Sequence, residues 1–230
     1  MKFLIKTKRL ILVSAFLVFL FFLFESAKLA AQIQNPNSNY LAQTLKFPGS
    51  KGAPKGRRRG AASRRGCPRM QPNLTALVPD DNSQGLTAIE YPTFWFYIPS
   101  LPQGNYTAEF ILQNSQNQNI YHTPITLPKK SSILSVSLPS QPQYALKPKQ
   151  WYRWYFKIYC DPQVKSVYVF VEGTVERVPQ NAYSADSLWY DVLTNLANRL
   201  RANPQNYALK NEWTQLLKSV GLESVSHAPL

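Results

Sequence analysis

The residue types best suited to chemistry in this chain are cations in close succession, and the chemistry they suit is anion binding. Lys55, Arg57, Arg58, Arg59, Arg64 and Arg65 belong to a run of eight Lys/Arg between Lys51 and Arg69 that contains no Asp or Glu. Guanidinium forks set between glycines offer paired donors to phosphate, sulfate or carboxylate oxygens. The chain has 230 residues, 26 of them Lys or Arg, and a formal net charge of +14. From Met70 onward 12 Lys/Arg meet 11 Asp/Glu, so the positive charge is concentrated in this run and in the extreme N-terminus. A nearly neutral remainder gives little of the whole-surface attraction that a nucleic-acid binder exploits. The competing reading is structural: the arginines pair with carboxylates of their own domain, such as Glu172 or Glu176.

A second pattern lies in two aromatic segments. Trp95 and Tyr97 alternate with Phe94, Phe96 and Ile98. Trp151, Arg153, Tyr155, Lys157 and Tyr159 alternate with Tyr152, Trp154, Phe156, Ile158 and Cys160. With the period of two that a strand imposes, one set of each segment faces a core and the other faces out. The outward sets, aromatics interleaved with cations, can stack sugar rings or form cation–π pairs. A sheet face of that kind more often carries another layer. The apolar helices at the C-terminus are expected to supply it.

Catalytic groupings are sparse. His122 and His227 are the only histidines. There is no metal-ligand spacing, nucleophile elbow, phosphate loop or zincin motif, so no cofactor is expected. Glu172 and Glu176 share a strand face about 13 Å apart along the backbone, too far for a glycosidase pair acting from one strand. A carbohydrate-active hydrolase using Glu109, Glu172 or Glu176 is the enzymatic alternative to a non-enzymatic reading. Asp80-Asp81 suits a turn better than a calcium site. Arg153 and Asp161 are expected to form a local ion pair. Cys67 and Cys160 are the only cysteines. In an oxidising compartment an even count favours one bridge between them, and two independent thiols is the other reading.

The N-terminus indicates such a compartment. Lys2, Lys6, Lys8 and Arg9 precede an apolar run over 10–24, followed by Ala27, Ala30 and Ala31. This is the order of a secretory signal, and the run is shorter than the roughly 20 residues that span a bilayer comfortably. Residues 1–31 therefore read as a signal peptide or an uncleaved signal anchor, the latter being the only membrane attachment expected. Export to the periplasm or cell envelope removes nucleic acid as a partner. It leaves acidic polysaccharide, anionic lipid or an acidic protein face.

Four segments follow from these patterns. Residues 32–72, rich in Gln, Asn, Ser, Pro and Gly, read as a basic linker or arm. Residues 73–180 show short β-rich runs with turn residues every 8–12 positions, as in a sandwich. Strands are expected over 93–98, 106–113, 120–127, 134–138, 151–160 and 167–178. With no helical stretch between them, antiparallel pairing is expected. Residues 181–230 switch to a 3.6 period: Leu188, Trp189, Val192, Leu193, Leu196 and Leu200 mark one helix. Leu209, Trp213, Leu216, Leu217 and Val220 mark another. Asn203-Pro204 separates them and Gly221 caps the second. The fold class expected is mainly β (α+β), an antiparallel β-sandwich of about seven strands with a C-terminal two-helix hairpin.

Several motifs together resemble a known family. They are Gly52-Ala53-Pro54-Lys55-Gly56-Arg57-Arg58-Arg59-Gly60, Cys67-Pro68, the segments 74–79 and 92–99, and Tyr152-Arg153-Trp154-Tyr155-Phe156 leading to Cys160-Asp161-Pro162. Trp189-Tyr190-Asp191 and the segment 216–222 complete the set. They are similar, in order, to the cyanobacterial exported family known as domain of unknown function 928. That resemblance implies an exported protein and supplies no activity. Taken together, the sequence leads to a non-enzymatic binding or assembly module of the cell envelope that engages an anionic partner through its basic arm.

Overall fold

The computed structural model describes residues 47–49, 52–62, 66–79 and 83–230. Residues 1–46, which include the expected signal peptide or anchor, and Arg64, Arg65 and Asp80-Asp81 lie outside the described residues. Within them the chain is mainly antiparallel β with a C-terminal pair of helices, as alternation and helical periodicity lead one to expect. The strands are β1 (Arg57–Ala62), β2 (Thr75–Ala76), β3 (Gln84–Thr87), β4 (Thr93–Ile98), β5 (Thr107–Gln113), β6 (Asn119–Ile125), β7 (Ser132–Ser137), β8 (Gln150–Tyr159) and β9 (Tyr168–Arg177). The helices are α1 (Trp189–Ala202) and α2 (Tyr207–Ser219).

The expected pair of separate sheets is one curled sheet in the order β6-β5-β8-β9-β1-β2-β4-β7, with β3 added beside β9. All pairings are antiparallel except β3 with the C-terminal half of β9. Curling brings β4 opposite β5 and β8. Phe96 lies 4.5 Å from Phe156 and Phe94 lies 4.9 Å from Phe110, ring centre to ring centre. The inward sets of these strands, including Trp154 and Ile158, are buried together as one core.

Strand β1 is the corner of the curl. Arg57 pairs with Glu172 of β9, while Arg59 pairs with Thr75 of β2, and the β1–β9 register shifts between Arg57 and Ala61. The expectation of a linker or arm over 32–72 is therefore corrected for residues 57–62, which form a strand of the sheet. The physical reason is tertiary. Arg-Arg-Arg-Gly-Ala-Ala has no alternation of its own, but strands on both sides take its backbone groups. Close approach at the other side of this seam requires glycine. A Cβ on Gly173 would lie 2.3 Å from both the Ser83 carbonyl oxygen and the Trp154 ring.

The first turn of α1 seals one end of the core. Trp189 Nε1 donates to the Leu77 carbonyl (2.8 Å), and the Tyr190 hydroxyl donates to the Thr174 carbonyl (2.9 Å) while accepting from Trp154 Nε1 (2.8 Å). Asp191, also in that turn, accepts from the Ala88 amide at 2.9 Å and from the Thr87 hydroxyl, which ties α1 to β3. α1 ends at Ala202, and α2 starts after Asn206, whose side chain accepts from the Leu209 amide at 3.1 Å. The second helix is thus capped by Asn206, and Pro204 stands in the link instead of the first turn. Gly221 follows α2 with φ of +73°, the left-handed conformation that ends a helix most readily on glycine.

Candidate functional site

The basic cluster divides by burial. Lys55, Arg57 and Arg59 are exposed, and Arg58 is 4% exposed. Alternation along β1 turns Arg58 inward, where its guanidinium donates to the carbonyls of Val78 (3.2 Å), Val220 (2.5 Å) and Gly221 (3.3 Å). Arg58 was expected to bind an external anion; it is instead a tie between β1, the segment after β2 and the cap of α2. A buried guanidinium needs acceptors on its own molecule, and the carbonyls freed at a helix C-terminus supply them. Arg57 and Arg59 remain free to face a ligand, and the Arg57 guanidinium lies 4.8 Å from the centre of the Phe170 ring.

Cys67 and Cys160 are joined by a disulfide with Cα atoms 5.4 Å apart across a sequence separation of 93. It fastens the segment after β1 to the end of β8, close to the strand that the basic residues occupy.

The two aromatic segments meet different fates. The outward side of β4 is covered by α1, as expected: Trp95 Nε1 donates to Thr194 Oγ1 at 3.0 Å, and the Arg201 guanidinium sits 4.5 Å above the Trp95 ring. The outward side of β8 is not covered by the helices, which corrects that part of the expectation. A shallow groove runs over it, and its lining comes wholly from β5, β8 and β9. The reason is the curl. It brings β4 beneath the hairpin and turns the outward face of β8 elsewhere.

Strand register assembles this open face. Glu109, Lys157 and Phe170 form one row across β5, β8 and β9, and Ile111, Tyr155 and Glu172 form the next, continued by Arg57 on β1. Arg153 donates to Glu172 through Nε (3.1 Å) and Nη2 (2.6 Å). It pairs with Glu172 where Asp161 was expected; Asp161 instead accepts from the Gln163 amide in the following turn. Glu109 accepts from the Tyr159 hydroxyl at 2.5 Å, lies 2.9 Å from His122 Nε2, and has Lys157 Nζ at 3.6 Å. Lys157 also lies over Tyr155 and Tyr168, at 5.7 and 5.6 Å. Lys165, in the β8–β9 loop, lies 4.4 Å from the Tyr159 ring.

Burial alone raises the Glu109 carboxyl, but the hydrogen bonds from Tyr159 and His122 and the charge of Lys157 outweigh it, and the net shift is downward from 4.5. The Tyr159 hydroxyl moves the opposite way, raised by burial and by its bond to Glu109. A carboxyl held lower in the fold than in the unfolded chain adds stability above its unfolded value, and that stability is lost as pH falls through the folded value. Glu109→Gln should therefore be destabilised relative to the parent near neutrality. The gap should close as the pH is lowered toward about 3, which thermal melts across that range would read directly.

The three carboxylates of the hydrolase alternative are not brought together as an acid and a nucleophile. Glu109 and Glu172 sit on strands separated by β8, with Cα atoms about 12 Å apart by strand spacing and rise. Each is bound by its own cation, and a general acid needs a raised carboxyl. Among the described residues no group of three or more His, Cys, Asp or Glu is placed to hold a metal ion, and no helix is long and apolar enough to cross a membrane. His227 is exposed in the tail.

Tyr168, Phe170 and Lys165 were not singled out from the sequence, although they complete the open face. The available signal was the alternation of Tyr168, Phe170 and Glu172 with Val169 and Val171. Its meaning depends on a partner strand that places Lys157 and Tyr155 beside it.

The model of the family described as Domain of Unknown Function (DUF928) matches residues 59–187 and 180–230. No curated protein and no solved structure matches the chain.

Proposed function

Since the chain belongs to the DUF928 family, whose description carries no activity, we propose from the geometry that it is an exported, non-enzymatic binding or assembly module of the cell envelope that engages an anionic partner. The observation that carries this reading is the alternation along β1: it spends Arg58 on the fold and presents Arg57 and Arg59, with Lys55 before them, to solvent. The disulfide supports an oxidising compartment. The net-lowered carboxyl of Glu109 and the ion pair at Glu172 favour binding over acid–base chemistry.

The test uses retention on a phosphate-bearing cation-exchange matrix. Lys55→Gln/Arg57→Gln/Arg59→Gln should elute at clearly lower salt than the parent. A control that removes three charges elsewhere, Lys129→Gln/Lys130→Gln/Lys210→Gln, should shift far less. Equal shifts in the two triples would mean that only net charge matters and would remove the proposal.

A further inference from the structure

We infer that the open face of β5, β8 and β9, with Arg57 at its edge, is a platform for an acidic polysaccharide; this deepens the anionic-partner reading and rests on it. Three observations converge. The first is surplus charge. Arg153 is committed to Glu172, and Lys157 is shared with Glu109. Arg57 contacts the Phe170 ring and, among the described residues, enters no ion pair; Lys165 contacts the Tyr159 ring. Two cations thus stand at opposite ends of the face with donors to offer, and a chain carrying repeated carboxylates or sulfates reaches both.

The second observation is the pairing of aromatic and polar groups in one shallow groove. Tyr155, Tyr168 and Phe170 are half-buried beside Gln113, Arg153 and Glu172. The C–H face of a pyranose carries partial positive charge and suits the negative face of an aromatic ring. Its hydroxyls need the planar donors and acceptors that Arg, Gln and Glu supply.

The third is preorganisation. The Arg153 and Glu172 side chains are only 26% and 13% exposed although neither described helix lines the groove they share. Their rotamers are already fixed by the two bonds Arg153 makes to one Glu172 oxygen and by the rings around them, so little ordering cost remains on binding.

The same features disfavour other occupants. The core of a protein–protein interface is depleted in charged residues, whereas four cations and two carboxylates share this face. A bilayer surface calls for protruding apolar groups, and Val164, in the loop at the rim, is the large exposed hydrophobic nearest to the groove in sequence.

Polygalacturonate oligomers titrated calorimetrically against the parent test the inference, with dextran as the neutral control. Salt-sensitive binding of polygalacturonate and none of dextran are expected. Arg57→Gln/Lys165→Gln should weaken binding by about tenfold or more, and Tyr155→Ala should weaken it severalfold even at low salt. Lys129→Gln/Lys130→Gln should stay within about twofold. Thermal melts and near-ultraviolet circular dichroism confirm that each variant is folded; should Tyr155→Ala be unstable, Tyr155→Leu replaces it.

No polygalacturonate binding at low salt overturns the inference. So does equal weakening by the Lys129/Lys130 control, binding transferred to anionic phospholipid vesicles, or self-association in sedimentation that Arg57→Gln/Lys165→Gln abolishes. If polygalacturonate fails while retention on the phosphate matrix still depends on Lys55, Arg57 and Arg59, the anionic-partner reading survives and the glycan platform does not.

Discussion

Arg58→Met is expected to lower the melting temperature by roughly 10 °C, while Arg57→Gln and Arg59→Gln move it by no more than about 2 °C. Methionine keeps most of the apolar stem, so the loss isolates the guanidinium and its three carbonyl acceptors. Those carbonyls belong to Val78, Val220 and Gly221, and the bonds to Val78 and Val220 are buried in the seam between β1 and the cap of α2. Leaving buried acceptors unmet costs about 3–4 kcal/mol in total, and a domain of this size shifts about 2–4 °C per kcal/mol. Arg58→Lys should recover less than half of the loss, because one ammonium does not span acceptors set around a planar fork. Equal small effects at all three arginines would mean that β1 is not built into the sheet.

Reduction of the Cys67–Cys160 bridge, or its replacement by Cys67→Ala/Cys160→Ala, is expected to cost about 4 kcal/mol, again roughly 10 °C. The bridge closes a loop spanning a sequence separation of 93, and in the chain-entropy view most of its effect is on the unfolded chain. The cysteine pair should therefore destabilise without altering which face the cations occupy. Differential melting of oxidised and reduced protein gives the size. Retention of both forms on the phosphate matrix at a temperature well below either transition gives the second half of the prediction. An unchanged melting temperature on full reduction would contradict the first half.

These two effects bear on what the sequence made legible. β4 was readable to the residue because Pro92 and Pro99 bound an unbroken β-forming run. β8 was readable because ten residues alternate without a break. The helices were readable from their 3.6-residue stripes, although the second starts after Asn206 and not at Pro204. β1 was not readable. Three arginines, a glycine and two alanines carry the composition of a linker, and only the strands flanking them in space make them a strand. β2 and β3 are too short to show a period, and β3 pairs in parallel with a strand some 90 positions away.

The candidate site shows the same division. The alternation Trp151, Arg153, Tyr155, Lys157, Tyr159 announced an aromatic–cationic face, but not whether it would be covered. That depended on how far the sheet curls, and the helices settled on Trp95 of β4. The partners of Glu109 and Glu172 came from registers across β5, β8 and β9, which local pattern does not encode. Charge segregation drew attention to one stretch of chain, and alternation within it decides which arginine is buried and which two face outward.

Strand β1 joins the two halves of the sheet, and the amide of Gly60 reports on that strand alone. It donates to the Leu74 carbonyl at 2.7 Å across the corner where the two halves of the sheet meet. Residue-resolved hydrogen exchange should find this amide protected to a degree comparable with the amides of β8 and β9, and lost together with them under denaturant. Exchange at Gly60 as fast as in a free peptide, with β8 and β9 still protected, would contradict the account.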